Sequence, residues 1–203
     1  MDEIVARAMQ KWPDVPNVYG WLRLDRRGNW LVKGRAVAAD GAPVFERIGN
    51  PAVVEFIGRN YARDEAGRWF FQNGPQRVFV RPDYLPLVFR LDGRGGAALV
   101  AHTGAAADVP RAAWLDEAGA LIVETRLGAG LLDDRDLAAI VESFTGVGGG
   151  AFEDDPHGAA ASGRLRLSLA GASIPVGVIA SAEVAVRFGF DPAPAPPPGQ
   201  PDC

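Results

Sequence analysis

The chain has two histidines, His102 and His157, and these are the side chains best suited to act as a base near neutral pH. Nucleophilic catalysis places such a base beside a hydroxyl or thiol group. The sequence contains no Gly-x-Ser-x-Gly motif, and His102 follows the apolar run 97–101, which is typical of a strand. We therefore expect a non-catalytic binding or regulatory protein. The alternative is a hydrolase or transferase whose site is assembled from distant residues, with His102 as its base.

A metal site would require several ligands clustered at a fixed spacing. The local candidates are Glu153, Asp154, Asp155 and His157. Pro156 divides this group, and its neighbours are small residues, so a solvated acidic loop is the simpler interpretation. We expect no metal ion and no cofactor.

The segment 121–133 is similar to the start of a dinucleotide-binding motif, because a strand leads through Gly128-x-Gly130 into a helix. The position of the third glycine is Asp133, however, and Asp134 follows it. Two carboxylates at a helix start would repel a pyrophosphate, which binds at the positive end of the helix dipole. We therefore reject a dinucleotide site.

The segment from Arg59 to Arg81 is the richest in polar and aromatic residues. One interpretation is a concave sheet whose arginines hold an anionic ligand against aromatic rings. The simpler alternative is an amphipathic hairpin with its aromatic residues inside and its arginines in solvent. If the protein binds a ligand, we expect the ligand-binding residues to be Asn60, Tyr61, Gln76 and Arg77.

Charge is distributed unevenly along the 203 residues, whose net charge is −4. Residues 1–100 carry 15 Lys and Arg against 11 Asp and Glu, whereas residues 101–203 carry 6 against 14. The basic half is suited to an acidic ligand, or the two halves attract each other within one fold. We expect a small anionic ligand or a protein partner, and neither nucleic acid nor a membrane. A structural partner subunit that joins chains through the two halves is a further alternative.

Three features of the sequence indicate the cellular compartment of the protein. The single cysteine, Cys203, excludes a disulfide within the chain. The start of the sequence has neither the basic nor the apolar region of a secretory signal, and the weakly polar run 174–186 is too short to cross a bilayer. We expect a cytoplasmic bacterial protein.

Three stretches, 25–30, 64–69 and 116–121, share the pattern Asp-x-x-Gly-x-apolar. Aspartate favours the start of a tight turn, and glycine accepts the positive φ that such turns require. Each stretch therefore predicts a corner between two antiparallel strands.

Hydrophobic spacing and capping residues predict the remaining elements. Helices are predicted over residues 2–12, 50–61 and 133–144, and residues 151–163 are predicted to be an exposed loop. Strands are predicted over residues 19–24, 30–33, 69–71, 76–81, 84–91, 97–102, 114–115, 121–125, 127–132, 164–169 and 176–188. Alternation across the first corner would place Trp21 with Trp30, or Leu22 with Leu31, on a shared face.

Short turns between most strands favour an α+β fold in which antiparallel hairpins or curved sheets pack with about three short helices. A repeated hairpin-and-helix motif is compatible with the three corners. We predict one domain over residues 1–190, with sub-repeats at 17–92 and 97–190, followed by a proline-rich disordered tail over residues 191–203.

The sequence also resembles an uncharacterised proteobacterial family of about this length. The resemblance is carried by residues 12–16, 19–22, 26–30, 60–61, 67–78 and 185–190, and it implies no activity. The Asp-x-x-Gly-x-Trp hairpin followed by a helix is similar to a second bacterial family of unknown function, whose fold has repeated β-rich motifs and for which a signalling role has been suggested. That similarity implies antiparallel sheets packed with helices and assigns no residue roles.

Overall fold

The computed structural model describes residues 1–92, 98–147 and 155–199. The chain forms two compact units, each built on one sheet. Unit 1 comprises Met1–Pro86 together with the segment that begins at Gly189, and unit 2 comprises Leu87–Phe188. These boundaries differ from the sub-repeat limits at residues 92 and 97, and the single domain over residues 1–190 stays a prediction.

Unit 1 has two helices and six strands. The helices are α1 Glu3–Lys11 and α2 Pro51–Arg59. The strands are β1 Val18–Leu24, β2 Trp30–Val37, β3 Pro43–Arg47, β4 Tyr61–Arg63, β5 Trp69–Asn73 and β6 Gln76–Pro82. Asn50 begins α2 as predicted, since its side-chain oxygen accepts from the amides of Ala52 and Val53.

Unit 2 has eight strands and three short helices. The strands are β7 Val88–Leu91, β8 Leu99–Ala101, β9 Ala112–Leu115, β10 Leu121–Thr125, β11 Gly128–Leu132, β12 Phe144–Gly146, β13 Leu165–Leu169 and β14 Ala172–Val178. The helices are α3 Leu137–Val141, α4 Pro156–Ala161 and α5 Val184–Phe188. Single 3₁₀ turns at Asp134–Asp136 and Ser181–Glu183 precede α3 and α5.

The strand order is β3-β2-β1-β6-β5-β4 in unit 1 and β12-β13-β14-β9-β10-β11-β7-β8 in unit 2. In unit 1, Leu24, Trp30 and Val80 are at most 1% exposed. In unit 2, all three residues of the run Leu121, Ile122 and Val123 are fully buried. A strand that is apolar on both faces belongs in the interior of a sheet, and β10 lies there.

The α+β class is confirmed, but both sheets are mixed rather than antiparallel throughout. Strand β1 runs parallel to β6, β11 to β7, and β14 to β9. Every adjacent hairpin that was predicted is antiparallel. The turn signals in the sequence specify how neighbouring strands connect, and they carry no information on which distant strand completes the sheet.

Several local predictions need correction. Five α-helices occur among the described residues rather than about three, and two of them, α4 and α5, lie in segments that were predicted to be loop and strand. In the first hairpin, Leu22 is opposite Val32 and Leu24 is opposite Trp30. Trp21 and Trp30 therefore lie on opposite faces of the sheet.

The three corners have the same geometry. In each, the aspartate amide donates to the main-chain carbonyl four residues on, and the glycine amide donates to the aspartate carbonyl, at 2.9–3.1 Å. The glycines Gly28, Gly67 and Gly119 have φ values of +77°, +81° and +78°. Each aspartate side chain accepts from at least one amide of its own turn, as expected of an Asx turn.

Among the described residues, no helix has the length and apolar character that a membrane crossing requires. The longest helices among them, α1 and α2, have 9 residues each, less than half of the roughly 20 that a crossing requires.

Candidate functional site

A cavity of about 580 Å³ opens on unit 1 at the second corner. We call it the arginine pocket. It is lined by Arg63, Asp64, Glu65, Ala66, Arg68, Phe70 and Arg77. The lining residues come from the end of β4, the corner itself, the start of β5 and the second residue of β6.

The corner is rigid because Asp64 binds both the main chain and the side chain of Arg68. Its carboxylate accepts from the Arg68 amide at 2.9 Å and from Nε at 2.8 Å. Burial opposes ionisation of Asp64, but these hydrogen bonds outweigh it and hold the pKa of the carboxyl below its usual value. The charge of Arg68 is therefore already balanced within the pocket.

An aromatic cluster lies beneath the pocket, and its member Phe70 lines it. The rings of Tyr19 and Phe79 stack at 4.6 Å, and Phe70 meets Phe79 edge-on at 5.9 Å. The Arg68 guanidinium lies over Phe79 at 4.6 Å and that of Arg77 over Phe70 at 4.5 Å. These rings are at most 4% exposed, so the two arginines cover them and are held in place by cation–π contacts.

The segment after unit 2 closes one side of this region. The Asp191 amide donates to the Gly67 carbonyl at 3.0 Å, and Arg63 Nη2 donates to the Gly189 carbonyl at 2.6 Å. Phe190 between them is 7% exposed. The C-terminal segment therefore fixes both the second corner and the direction of the Arg63 side chain.

The guanidinium groups of the three arginines have different contacts. Arg68 has Asp64, and Arg63 donates to a carbonyl. Arg77 makes its cation–π contact but no hydrogen bond or ion pair with any residue that the structure describes. Glu65 also lines the pocket and is exposed. Among the described residues, the pocket therefore presents one guanidinium, that of Arg77, with neither a hydrogen bond nor an ion pair. It is oriented by a ring and able to bind a carboxylate or a phosphate through two parallel N–H groups.

The four predicted ligand-binding residues are not brought together. Asn60 is 1% exposed, and its side chain accepts from the Asp2 amide at 2.7 Å and donates to the Phe56 carbonyl at 2.9 Å. Tyr61 donates to the Pro86 carbonyl at 3.0 Å, and burial raises its pKa well above the usual value. These two side chains support the packing of unit 1.

Gln76 and Arg77 are adjacent in β6 and therefore point to opposite faces of the sheet. Gln76 donates to the Pro16 carbonyl at 3.1 Å and lines an apolar groove of about 450 Å³. The groove is otherwise lined by Val18, Trp21, Leu22, Val32, Ile48, Val53, Ile57, Phe71 and Val78. Of the four predicted residues, only Arg77 lines the arginine pocket.

The other members of the pocket were missed in the choice of ligand-binding residues. Arg63 belongs to the polar-aromatic segment, and Arg68 belongs to the second corner, yet neither was selected. The available signal was the corner itself, because an Asx turn fixes the residue that follows its glycine. The aromatic cluster had no signal in the sequence, since Tyr19 and Phe79 meet through the parallel pairing of β1 with β6.

The histidine candidates occupy different settings in unit 2. Nδ1 of His102 accepts from the Val88 amide at 3.3 Å, and the His102 amide donates to the Val88 carbonyl at 2.7 Å. Its ring is thus anchored to the start of β7. His157 lies near Glu117, whose carboxylate accepts from both the amide and the hydroxyl of Ser181. These hydrogen bonds lower the pKa of the Glu117 carboxyl, and His157 makes a smaller contribution.

A metal site was considered at residues 153–157, of which Glu153 and Asp154 lie outside the described residues. Asp155 accepts from the Gly158 amide at 2.8 Å and caps α4. Within residues 1–92, 98–147 and 155–199, no three His, Cys, Asp or Glu side chains are grouped so that they could hold a metal ion.

Asp133, whose charge led us to reject a dinucleotide site, has a structural role. Asp133 is fully buried. It accepts from Nε of Arg135 at 2.8 Å and from the Arg135 amide at 3.0 Å, and Arg90 Nε lies 3.7 Å from it. Burial opposes ionisation, but the bonds from Arg135 prevail and the pKa of Asp133 is lowered. The group therefore stabilises the fold only while it is ionised.

Replacing Asp133 with asparagine is expected to destabilise the protein by about 2 kcal/mol at pH 7, because it removes charge-assisted hydrogen bonds from a buried site. Because the pKa of Asp133 is lower in the folded protein than in the unfolded chain, its carboxylate stabilises the fold fully at pH values above the unfolded pKa, ordinarily 3.8. This stabilisation is lost as pH falls through the pKa of the folded state. The difference between D133N and the wild type in urea denaturation should therefore be constant from pH 7 to 5 and shrink below about pH 4. A difference that persists unchanged at pH 3 would contradict this role.

Comparison with known proteins returned two matches. A model for a family described as "Protein of unknown function (DUF2946)" matches residues 1–195, and no curated protein matches the chain. Among solved structures, a DUF1285 family protein from Silicibacter pomeroyi is similar, with 21% identity and a TM-score of 0.48. The alignment covers 88% of this chain and 97% of that protein.

Proposed function

The chain belongs to this family of proteins of unknown function, and we propose that it is a non-catalytic binding protein whose arginine pocket recognises a small anionic ligand. The membership agrees with the family resemblance noted from the sequence. The longest run that carried that resemblance, residues 67–78, includes Arg68, Phe70 and Arg77 of the pocket.

One observation carries the proposal. The guanidinium of Arg77 is held 4.5 Å from the Phe70 ring and has no anionic partner among the described residues, although it lies in a cavity large enough for a small ligand. Ligand sites typically have volumes of about 300–1,000 Å³ and contain a few oriented polar groups. An incoming carboxylate or phosphate would supply the partner that Asp64 supplies to Arg68.

Binding should be measured by isothermal titration calorimetry with citrate and pyrophosphate as probes. We expect Arg77→Ala to weaken binding at least about tenfold, since a hydrogen bond to a charged group contributes about 1.5–3 kcal/mol. Arg77→Lys keeps the charge but loses the planar fork, so its affinity should be intermediate.

The matched control is Arg7→Ala. Arg7 is an exposed residue of α1 that lies outside the pocket, and its loss changes the net charge by the same amount. If R7A weakens binding as much as R77A, the effect is one of net charge and the pocket is not the site. If R77A unfolds the protein, Arg77 is a structural residue and the proposal fails.

Two finer predictions belong to this proposal. A cytoplasmic location suits a protein that binds small anionic metabolites. The other is that the three corners derive from one duplicated hairpin-and-helix motif. It is supported by their identical main-chain hydrogen bonds, although different elements follow each corner.

A further inference from the structure

A row of arginines crosses the six-stranded sheet of unit 1 outside the arginine pocket. The strand register pairs Arg47 of β3 with Leu31, Leu31 with Arg23 of β1, and Arg23 with Arg81 of β6. Directly paired residues share one face of a sheet, so the three arginines project from the same side. We call them the arginine row.

The spacing of the row follows from sheet geometry. Neighbouring strands lie about 4.8 Å apart, and Arg47 and Arg81 are separated by three strand intervals. Their Cα atoms are therefore roughly 14 Å apart. An extended peptide advances about 3.4 Å per residue, so residues i and i+4 of such a peptide span the same distance.

Much of the charge of the row is uncompensated. Arg23 forms an ion pair with Asp83, with Nε 3.1 Å from the carboxylate oxygen. Arg47 and Arg81 are exposed and make no side-chain hydrogen bond or ion pair with any described residue. Glu46 is paired with Val32, which lines the apolar groove on the other side of the sheet, so its charge does not neutralise the row.

Aromatic rings restrict some of these cations. The Arg23 guanidinium lies 4.9 Å from the centroid of the Phe45 ring. Lys33, which is opposite Phe45 in the register, places Nζ 5.5 Å from the Trp21 ring. A cation that a ring already orients loses less conformational freedom when it binds an anion.

We propose that this face of unit 1 binds an extended acidic segment of a partner protein, with carboxylates at positions i and i+4 contacting Arg47 and Arg81. The one satisfied arginine of the row already takes a single carboxylate, from Asp83. Nucleic acid fits less well, because the protein carries a net charge of −4, whereas domains that bind nucleic acid are ordinarily basic. The proposal is independent of the arginine pocket.

The test uses fluorescence anisotropy with a labelled decapeptide of alternating glutamate and glycine. We expect the double variant R47A/R81A to weaken binding at least about tenfold, as the loss of two charge-assisted contacts implies. The control R7A/R111A removes the same charge from two exposed positions elsewhere and should change affinity less than about twofold. Both doubles replace exposed side chains, and circular dichroism should show them folded.

Three results would overturn the proposal. One is equal affinity in the two double variants, which would indicate net charge alone. Another is tighter binding of an oligothymidylate or of phosphatidylserine vesicles than of the peptide. The third is an absence of peptide binding at about 50 mM salt, where charge attraction is strong. Peptide anisotropy reports on the row and citrate calorimetry reports on the arginine pocket, so failure of the one and failure of the other are distinguishable.

Discussion

Replacing Gly67 with alanine is expected to destabilise the protein by at least about 3 kcal/mol. Gly67 has a φ of +81°, which costs a residue with a side chain about 1–2 kcal/mol. A Cβ atom at this position would lie 2.4 Å from the Gly189 carbonyl oxygen and 3.2 Å from the Cα atom of Phe190. These are main-chain atoms, and Arg63 and the Asp191 amide hold them in place, so they cannot move aside cheaply.

The matched control for Gly67→Ala is Gly41→Ala, also in unit 1. Gly41 has a φ of +84°, and no atom lies within 4 Å of the place that an alanine Cβ would occupy. Its substitution therefore incurs the backbone strain alone, about 1 kcal/mol. Urea denaturation followed by circular dichroism gives both values. Equal losses for the two variants would mean that the C-terminal segment does not pack against the second corner.

A second large effect is expected at Gly130, where alanine should cost about 3 kcal/mol. The added Cβ would lie 2.5 Å and 2.7 Å from two carbons of the Phe89 ring and 3.0 Å from the Cβ atom of Leu87. Phe89 is fully buried, and overpacking of such a site forces shifts that cost about 1–3 kcal/mol or more.

The control for Gly130→Ala is Gly177→Ala on β14. Its nearest neighbour would be Trp114 Cδ1 at 3.3 Å, a contact that a small ring movement relieves, so we expect a loss of less than about 1 kcal/mol. Thermal unfolding of the two variants makes the comparison. If G130A is as stable as G177A, β11 does not approach β7 as closely as the structure places it.

Gly130 also shows why a motif needs its structural context. The pattern Gly128-x-Gly130 after a strand resembles the start of a dinucleotide-binding motif, but here the second glycine makes room for the Phe89 ring. The aspartate at the third position stabilises the 3₁₀ turn through Arg135. The charges of Asp133 and Asp134 were sufficient to reject a dinucleotide site from the sequence. The reason for a glycine at position 130, which is its contact with the Phe89 ring, required the structure.

Local features of the fold could be predicted because their causes are local. Each corner is held by hydrogen bonds within five residues, and Asn50 caps the helix that begins at the next residue. The parallel pairing of β1 with β6 joins Val18 to Val78, and no turn signal links residues so far apart. The sheets were therefore predicted as antiparallel, although each connects distant strands in parallel.

The candidate site was predictable only in part for the same reason. Arg77 was identifiable from its polar-aromatic segment, and it lies in the pocket. Asn60 has the same composition signal, but contacts with Asp2 and Phe56 use its side chain. Whether a polar residue faces a ligand or the fold depends on partners that lie far along the chain, as Asp2 does here.

The most direct test of anion recognition by the arginine pocket is an NMR titration that observes arginine Nε–Hε groups while citrate is added. The Arg77 signal can be assigned from its absence in the spectrum of R77K. We expect this signal to shift progressively and saturate, with a smaller shift for Arg63 and none for Arg7. An Arg77 signal that stays unchanged while citrate binds would show that the anion is recognised elsewhere.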